Sequence, residues 1–178
     1  MYLHNYYIIR AACNPGLANG RGTIPIRLYD GTNTYTGSMA KSTSAYVSVL
    51  KIPTGLQSSN AASGFVFGSG SDAVTENDYK LSSGIYSNNL SLSTLTSELY
   101  EFDNKYCVDY NLSLTNTSLN TLTIRELGYC QGINYGSNGS LLSSTYKSAL
   151  VFRHVLPNDI SLAPNETKIF KLTFMYNK

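Results

Sequence analysis

Between Tyr106 and Leu114 the chain alternates without a miss. Tyr106, Val108, Tyr110, Leu112 and Leu114 fall on one side, and Cys107, Asp109, Asn111 and Ser113 on the other. A period of two is the mark of a strand with one buried face. The same alternation ends the chain over Thr167–Tyr176, with Phe170, Leu172, Phe174 and Tyr176 on the apolar side. Thr121–Tyr129 begins in the same way at Leu122 and Ile124, then changes phase so that Leu127 becomes the apolar position. A β-bulge near Arg125-Glu126 accounts for the slip. Leu150–Leu156 predicts a continuous strand and Ile160–Leu162 a short one, with a loop over Gly132–Ser140 before them. Thr23–Tyr29 sets Ile24, Ile26 and Leu28 against Pro25 and Arg27. Pro25 has no amide donor, so this strand should lie at an edge or pair on one side only. Asp30-Gly31, next along the chain, supplies a hairpin turn. Ser44–Leu50 is a further short strand, ahead of a turn at Pro53-Thr54-Gly55. In Ser87–Glu101 the spacing loosens from Leu90 and Leu92 to Leu95 and Leu99, which fits a strand or an irregular connection, with a short helix as the alternative.

Strands roughly ten residues apart with polar turns between them predict an all-β fold, an antiparallel β-sandwich of Ig-like or jelly-roll-like type. Residues 21–178 read as one such domain. Residues 1–20 read as an N-terminal arm or as the first strand. Tyr6, Tyr7, Ile8 and Ile9 are too apolar to stay in water, and Asn14-Pro15-Gly16 breaks the run away from the rest of the chain.

Composition agrees with this picture. The chain has 178 residues, 42% hydrophobic and only 13% charged, with 15 Tyr and no Trp. A chain of this size buries about 70% of its unfolded surface and needs no covalent staples. The net charge of +2 and the lack of any Lys/Arg run argue against nucleic acid as a partner. No segment approaches the length of a membrane span. The start of the chain has no basic region, and Tyr7-Ile8-Ile9 is too short for the apolar core of an export signal. Synthesis in a cytosol without export by its own signal is therefore expected. Cys13, Cys107 and Cys130 have no CxxC spacing, which speaks against zinc. Free buried thiols are expected, with a Cys107–Cys130 bridge between adjacent strands as the alternative.

Candidate chemistry is sparse. The stretch "GFVFGSGSDAVTENDYKLSSGI" (Gly64–Ile85) raises two possibilities. Gly68-Ser69-Gly70 could cradle a phosphate, but neither a following Gly-Lys-Ser/Thr nor a third glycine at dinucleotide spacing is present, so a turn or a close backbone approach is expected. Asp72, Glu76 and Asp78 could ligate a hard cation, but the calcium-loop spacing is missing. A cap by Asp72, with Asn77 or Asp78 bonding to nearby backbone, is the expectation instead. Gly128-Tyr129-Cys130-Gln131-Gly132 has the form of a nucleophile elbow, yet no helical pattern comes after it, and only His4 and His154 could serve as base. His154 is expected to be a hydrogen-bonded strand residue. Glu101 and Asp103 would share a strand face, a weak hint of glycoside hydrolysis. No catalytic residue, metal or cofactor is expected. The sequons at Asn89, Asn111, Asn116, Asn138 and Asn165 reflect an Asn/Ser/Thr-rich chain. Tyrosine gives contact area and a hydroxyl at low entropy cost. Tyr106 and Tyr110 are expected in the core, while Tyr29, Tyr129, Tyr135 and Tyr146, with Tyr6, Tyr7, Ile8 and Ile9, are candidates for a partner surface.

Three segments in order carry a resemblance: the glycine turn ending in "NDYKL" (Asn77–Leu81), "YCVDYNLSLTNTSLNTLTIRELGY" (Tyr106–Tyr129) and "ALVFRHVLPNDISLAPNETKIFKLTF" (Ala149–Phe174). Together they resemble small β-sandwich virion proteins of tailed bacteriophages, crAss-like gut phages among them. Those proteins share a D-Y-x-L step, an N-T-x-S-like turn, an I-x-E-x-G strand, an Arg-containing strand and a P-x-E turn. The resemblance implies a non-enzymatic structural protein of the virion, made in the host cytoplasm and bound to capsid, neck or tail subunits. A capsid auxiliary or decoration role on a symmetric array, with the chain itself a homo-oligomer or array, is favoured. A tail or neck component, or a carbohydrate-binding module contacting a host glycan, is the alternative; the absence of Trp counts against the module. A hydrolase using Glu101/Asp103 or Cys130 stands third.

Overall fold

The computed structural model describes residues 25–29, 31, 33–35, 64–85, 87–135 and 145–177. The expected arm over residues 1–20, with Tyr6, Tyr7, Ile8 and Ile9, and the expected strand at Ser44–Leu50 lie outside the described residues.

β1 (Pro25–Arg27) pairs antiparallel with β2 (Asn33–Tyr35) in a two-stranded ribbon. Pro25 is accommodated because, among the described residues, β1 pairs only with β2. The turn expected at Asp30-Gly31 is there: the Gly31 amide donates to the Leu28 carbonyl at 2.9 Å, and Gly31 takes φ 86°, open to glycine at little cost.

Two antiparallel sheets form the body. β3 (Gly64–Gly68), β4 (Gly84–Ile85), β7 (Leu122–Tyr135) and β8 (Thr145–Leu162) assemble in the order β4-β3-β7-β8. β5 (Leu90–Phe102), β6 (Lys105–Asn116) and β9 (Thr167–Asn177) assemble in the order β5-β6-β9. The chain feeds the two layers in turn, so that each layer covers the apolar face of the other. Phe65, Phe67, Ile124, Leu127 and Leu162 of the first sheet meet Leu90, Tyr110, Leu112 and Leu114 of the second, with Phe170, Leu172 and Phe174 packed alongside. Edge-to-face rings stitch the layers, Phe67–Phe170 at 5.9 Å and Phe152–Phe174 at 5.3 Å between centroids. The protein is an all-β sandwich.

Local irregularities fall where the pattern lost phase. The β7–β8 register shifts between Ile124 and Glu126, with Ile124 opposite Ile160 and Glu126 opposite Val155. The bulge turns both Ile124 and Leu127 inward, and Arg125 on its outside pairs with Asp159 at 2.9 Å. The two strands expected over Leu150–Leu156 and Ile160–Leu162 are therefore one strand, β8, bent at this bulge. Ser87–Asn89 is a single 3-10 turn, and β5 then runs through the loosened Leu pattern by shifting register between Thr94 and Thr96. The β5–β6 hairpin turns on Asp103 and Asn104 with φ 48° and 56°, the left-handed pair that a two-residue hairpin needs.

One end of the sandwich is pinned by Asn116, which is fully buried. Its amide nitrogen donates to the Asn120 carbonyl at 2.7 Å and the Leu162 carbonyl at 2.9 Å. Its amide oxygen accepts from the Ser118 amide at 2.8 Å and the Ser118 hydroxyl at 2.7 Å. The Ala163–Glu166 turn closes on the same point, the Asn116 backbone amide donating to the Glu166 carbonyl at 3.0 Å.

Cys107 and Cys130 are both free and buried, as expected. They cannot bridge, because Cys107 lies on β6, paired with Tyr100 and Met175, and Cys130 lies on β7 in the other sheet. Tyr106 is 44% exposed and not core; it sits beside the β5–β6 turn, opposite Glu101. The polar face of β6 is not fully solvated either. Asp109 is buried between its neighbours, taking the Thr173 hydroxyl at 2.6 Å, the Tyr100 hydroxyl at 3.4 Å and an ion pair from Lys171. The Lys171 and Thr173 bonds hold its carboxyl below the usual carboxylate range.

Candidate functional site

The outward face of the four-stranded sheet is covered by the chain between β3 and β4. Residues 69–83 fold back over β7 and β8 and are held there by two charged strand residues. Glu126 and Arg153 have side chains 0% and 2% exposed. Arg153 donates through Nε to Glu126 Oε2 at 2.9 Å, reaches the same oxygen through a second nitrogen at 2.8 Å, pairs with Asp78 and donates to the Asp72 carbonyl at 3.1 Å. Glu126 accepts the amides of Ser83 at 2.8 Å, Ser82 at 3.2 Å and Gly70 at 3.2 Å, and the Ser82 hydroxyl at 3.2 Å. Asp78 in turn accepts the Thr75 hydroxyl at 2.7 Å and the Thr75 amide at 3.1 Å.

This arrangement accounts for the glycines. A Cβ on Gly70 would overlap the Ser82 hydroxyl and stand 2.5 Å from Glu126 Oε1. One on Gly68 would stand 2.6 Å from Glu126 Oε1 and 2.6 Å from the Ser83 carbonyl. Gly68-Ser69-Gly70 is thus a close backbone approach to a buried carboxylate; its occupant is Glu126. The Asp72 carboxylate does not provide the cap; its backbone carbonyl does, toward Arg153, and Asp78 bonds back to Thr75. Among the described residues no three His, Cys, Asp or Glu side chains gather to hold a metal.

Electrostatics obey the same geometry. Burial by itself would raise the Glu126 carboxyl, but the Ser83 and Ser82 amides and the Arg153 guanidinium outweigh it and hold the group below its ordinary 4.5. Asp78 is held below 3.8 in the same way, with Arg153 and Thr75 outweighing its burial. Beside the clamp, Arg27, Asn77, Tyr79, Lys80 and Arg153 line an open cleft of about 230 Å³. Arg27 lies 3.6 Å over the Tyr79 ring, so one face of the most prominent aromatic in the cleft is already covered by a cation.

The sequence candidates scatter. Tyr29 is half-buried, packs on Cys130 and Leu150 with Val66 and Val74, and its amide donates to the Ser148 carbonyl at 2.9 Å. Tyr129, a candidate for a partner surface, lies in β7 and turns its ring edge-on to Phe65 at 5.7 Å, packed against the core. Tyr135 ends β7 and Tyr146 lies in β8, so neither is a loop residue, and their backbones sit at one end of the same strand pair. Cys130 of the elbow-like motif is 0% exposed, and burial pushes its thiol up, away from the thiolate a nucleophile needs. Gly128 serves packing instead: a Cβ there would stand 2.9 Å from the Phe152 carbonyl. His154 is exposed overall but partly covered, stacks on Phe152, and the partial desolvation of its ring lowers it from 6.5. Glu101 and Asp103 are exposed at the hairpin end. The resemblance held Glu126 in its I-x-E-x-G strand and Arg153 in its Arg-containing strand, but nothing in the sequence said that the two would pair. The local signal was a charge flanked by apolar residues in each of two strands, Ile124-Arg125-Glu126-Leu127 and Phe152-Arg153-His154-Val155.

Burial pushes the Tyr29 phenol up to about 12. A raised acid stabilises the fold below the unfolded value, near 10, and that contribution is lost as pH rises through the folded value. The wild-type chain is expected to lose stability between pH 10 and 12, and Tyr29→Phe to remove that part of the loss. Equilibrium unfolding across this range checks it, and equal slopes in both chains would count against it.

Comparison with family models, with curated proteins and with solved structures finds no match for this chain.

Proposed function

We propose that this chain is a non-enzymatic virion structural protein of a tailed bacteriophage, a capsid auxiliary protein binding a symmetric array of virion subunits. The observation that supports the reading is where the resemblance residues meet. Asp78 of the D-Y-x-L step, Glu126 of the I-x-E-x-G strand and the arginine of the Arg-containing strand, Arg153, close on one another in a single buried clamp. Asn116 of the N-T-x-S turn and Glu166 of the P-x-E turn likewise meet at the pinned end. Separate segments of the resemblance thus act together to build one rigid sandwich. Such a body can present surfaces to a repeating lattice, where modest contacts gain strength by multiplicity. An auxiliary protein needs no reaction centre, and the Cys130 thiol is shut from solvent.

The test is location. Purified virions should contain the chain in multiple copies, and negative-stain images of a tagged copy should place it on the capsid. Label on the neck or tail would move the role while keeping the class. Virions lacking the chain would end the reading.

A further inference from the structure

The second sheet ends on two long strands, β5 of 13 residues and β9 of 11, which among the described residues pair only inward, with β6. Natural edge strands are guarded against further pairing by shortness, Pro or Lys. β5 reads LSLSTLTSELYEF, with no Pro and no basic residue. β9 reads TKIFKLTFMYN, also with no Pro. Exposed apolar side chains collect on these two strands. Of the six exposed large hydrophobics among the described residues, four lie here: Leu99 at 70% and Phe102 at 64% on β5, Ile169 at 67% and Met175 at 54% on β9. The charges divide between the same two edges. β5 carries Glu98 and Glu101, and β9 carries Lys168 and Lys171.

We propose that β5 of one copy pairs with β9 of a second copy, parallel and head to tail, so that the three-stranded sheet continues from subunit to subunit. The direction is set by the fold. β5 and β9 both run antiparallel to β6, so they run parallel to each other, and a copy rotated about an axis along the strands keeps that sense. One register satisfies three contacts at once. Glu98 of one copy stands beside Lys171 of the next, and Phe102 beside Met175, all on the outer face that also holds Asp109. On the inner face Leu99 stands beside Leu172. Lys171, although paired with Asp109, keeps 55% of its side chain exposed for this second acid. Symmetric alternatives are poorer, because β5 against β5 gathers the acids of both copies and β9 against β9 gathers the lysines. A head-to-tail contact uses two different edges, so it builds a ring or a filament according to whether the rotation closes. The inference goes beyond the virion role, since it concerns copies of this chain alone and is tested with no virion present.

Cysteine pairing on the purified full chain tests it. In a background carrying Cys13→Ser and Cys107→Ala, with Cys130 buried, two chains are made separately, one with Phe102→Cys and one with Met175→Cys. Under mild oxidation the mixture should give a disulfide-linked pair containing one of each, and neither chain alone should cross-link. Cross-linking of either chain with itself would overturn the head-to-tail arrangement. Absence of cross-linking in the mixture would overturn the contact. As a second measurement, Leu99→Lys changes an exposed side chain and should leave the far-UV circular dichroism spectrum of the folded chain unchanged. Sedimentation velocity should show the wild type assembled and this variant monomeric; equal sedimentation of the two, or a monomeric wild type, would also overturn the proposal.

Discussion

Replacing Arg153 by Met is expected to cost the fold about 3–5 kcal/mol at neutral pH, because it strands a charged Glu126 where no water reaches. The two side chains are 2% and 0% exposed, so neither charge has solvent to fall back on. Glu126 would keep the Ser82, Ser83 and Gly70 amides but lose its counter-ion, and Asp78 would lose the same partner. The loop should then loosen before the sheets do. Urea unfolding followed by tyrosine emission, the chain having no Trp, gives the cost. Hydrogen exchange at the Gly70, Ser82 and Ser83 amides gives the location. Acid reports on the same clamp. Both carboxyls are depressed in the folded state, Glu126 below 4.5 and Asp78 below 3.8. A depressed carboxyl stabilises the fold above its unfolded value, and the contribution is lost as pH falls through the folded value. Wild-type stability should therefore fall below pH 4.5, and Arg153→Met should flatten that arm, since its pairs are already gone. A variant within about 1 kcal/mol of wild type at pH 7, the range of an exposed pair, would mean that the clamp does not hold this loop.

Asn116→Asp, which changes one atom for another of the same size, is expected to cost at least about 2 kcal/mol at neutral pH, from two unmatched buried groups with a buried charge without a counter-ion adding to them. The amide nitrogen of Asn116 donates to two backbone carbonyls, at 2.7 and 2.9 Å, with no solvent access. A carboxylate would set an oxygen against both acceptors. The Ser118 amide and hydroxyl can still donate to the other oxygen, so the loss falls on the link to Asn120 and Leu162. Sign and pH dependence separate this from a general packing defect. The new carboxyl is raised in the folded state, so its penalty shrinks as pH falls, when a protonated oxygen can donate to one carbonyl again. Asn116→Ala should lose stability without that pH dependence. Thermal melts of the two variants at pH 4 and pH 7 distinguish them.

The alternation of apolar and polar residues determined the strands, because which face a side chain takes is fixed locally by the pleat. Tyr106–Leu114 and Thr167–Tyr176 became β6 and β9 with small changes of boundary, and the loss of phase at Arg125-Glu126 marked the bulge itself. Pro25 and Gly31 likewise marked a hairpin, one-sided among the described residues, from within a few residues. The pairing partners could not be read this way. Arg153 stands 75 residues from Asp78 and 27 from Glu126, and nothing in a local pattern says which charges will meet. Two misreadings have the same origin. Alternation gave Cys107 and Asp109 to a polar face but could not show that Tyr100, Lys171 and Thr173 would cover Asp109. It gave Tyr106 to an apolar face but could not show that this position beside the β5–β6 turn is exposed. The expectation of a free, buried thiol at Cys130 is met, and the packing of Tyr29, Val66, Val74 and Leu150 over it is what seals it in the interior. The chain's local chemistry chose its strands; the stacking of two layers and the loop folded over one of them decided which charges are buried and which thiols are inert.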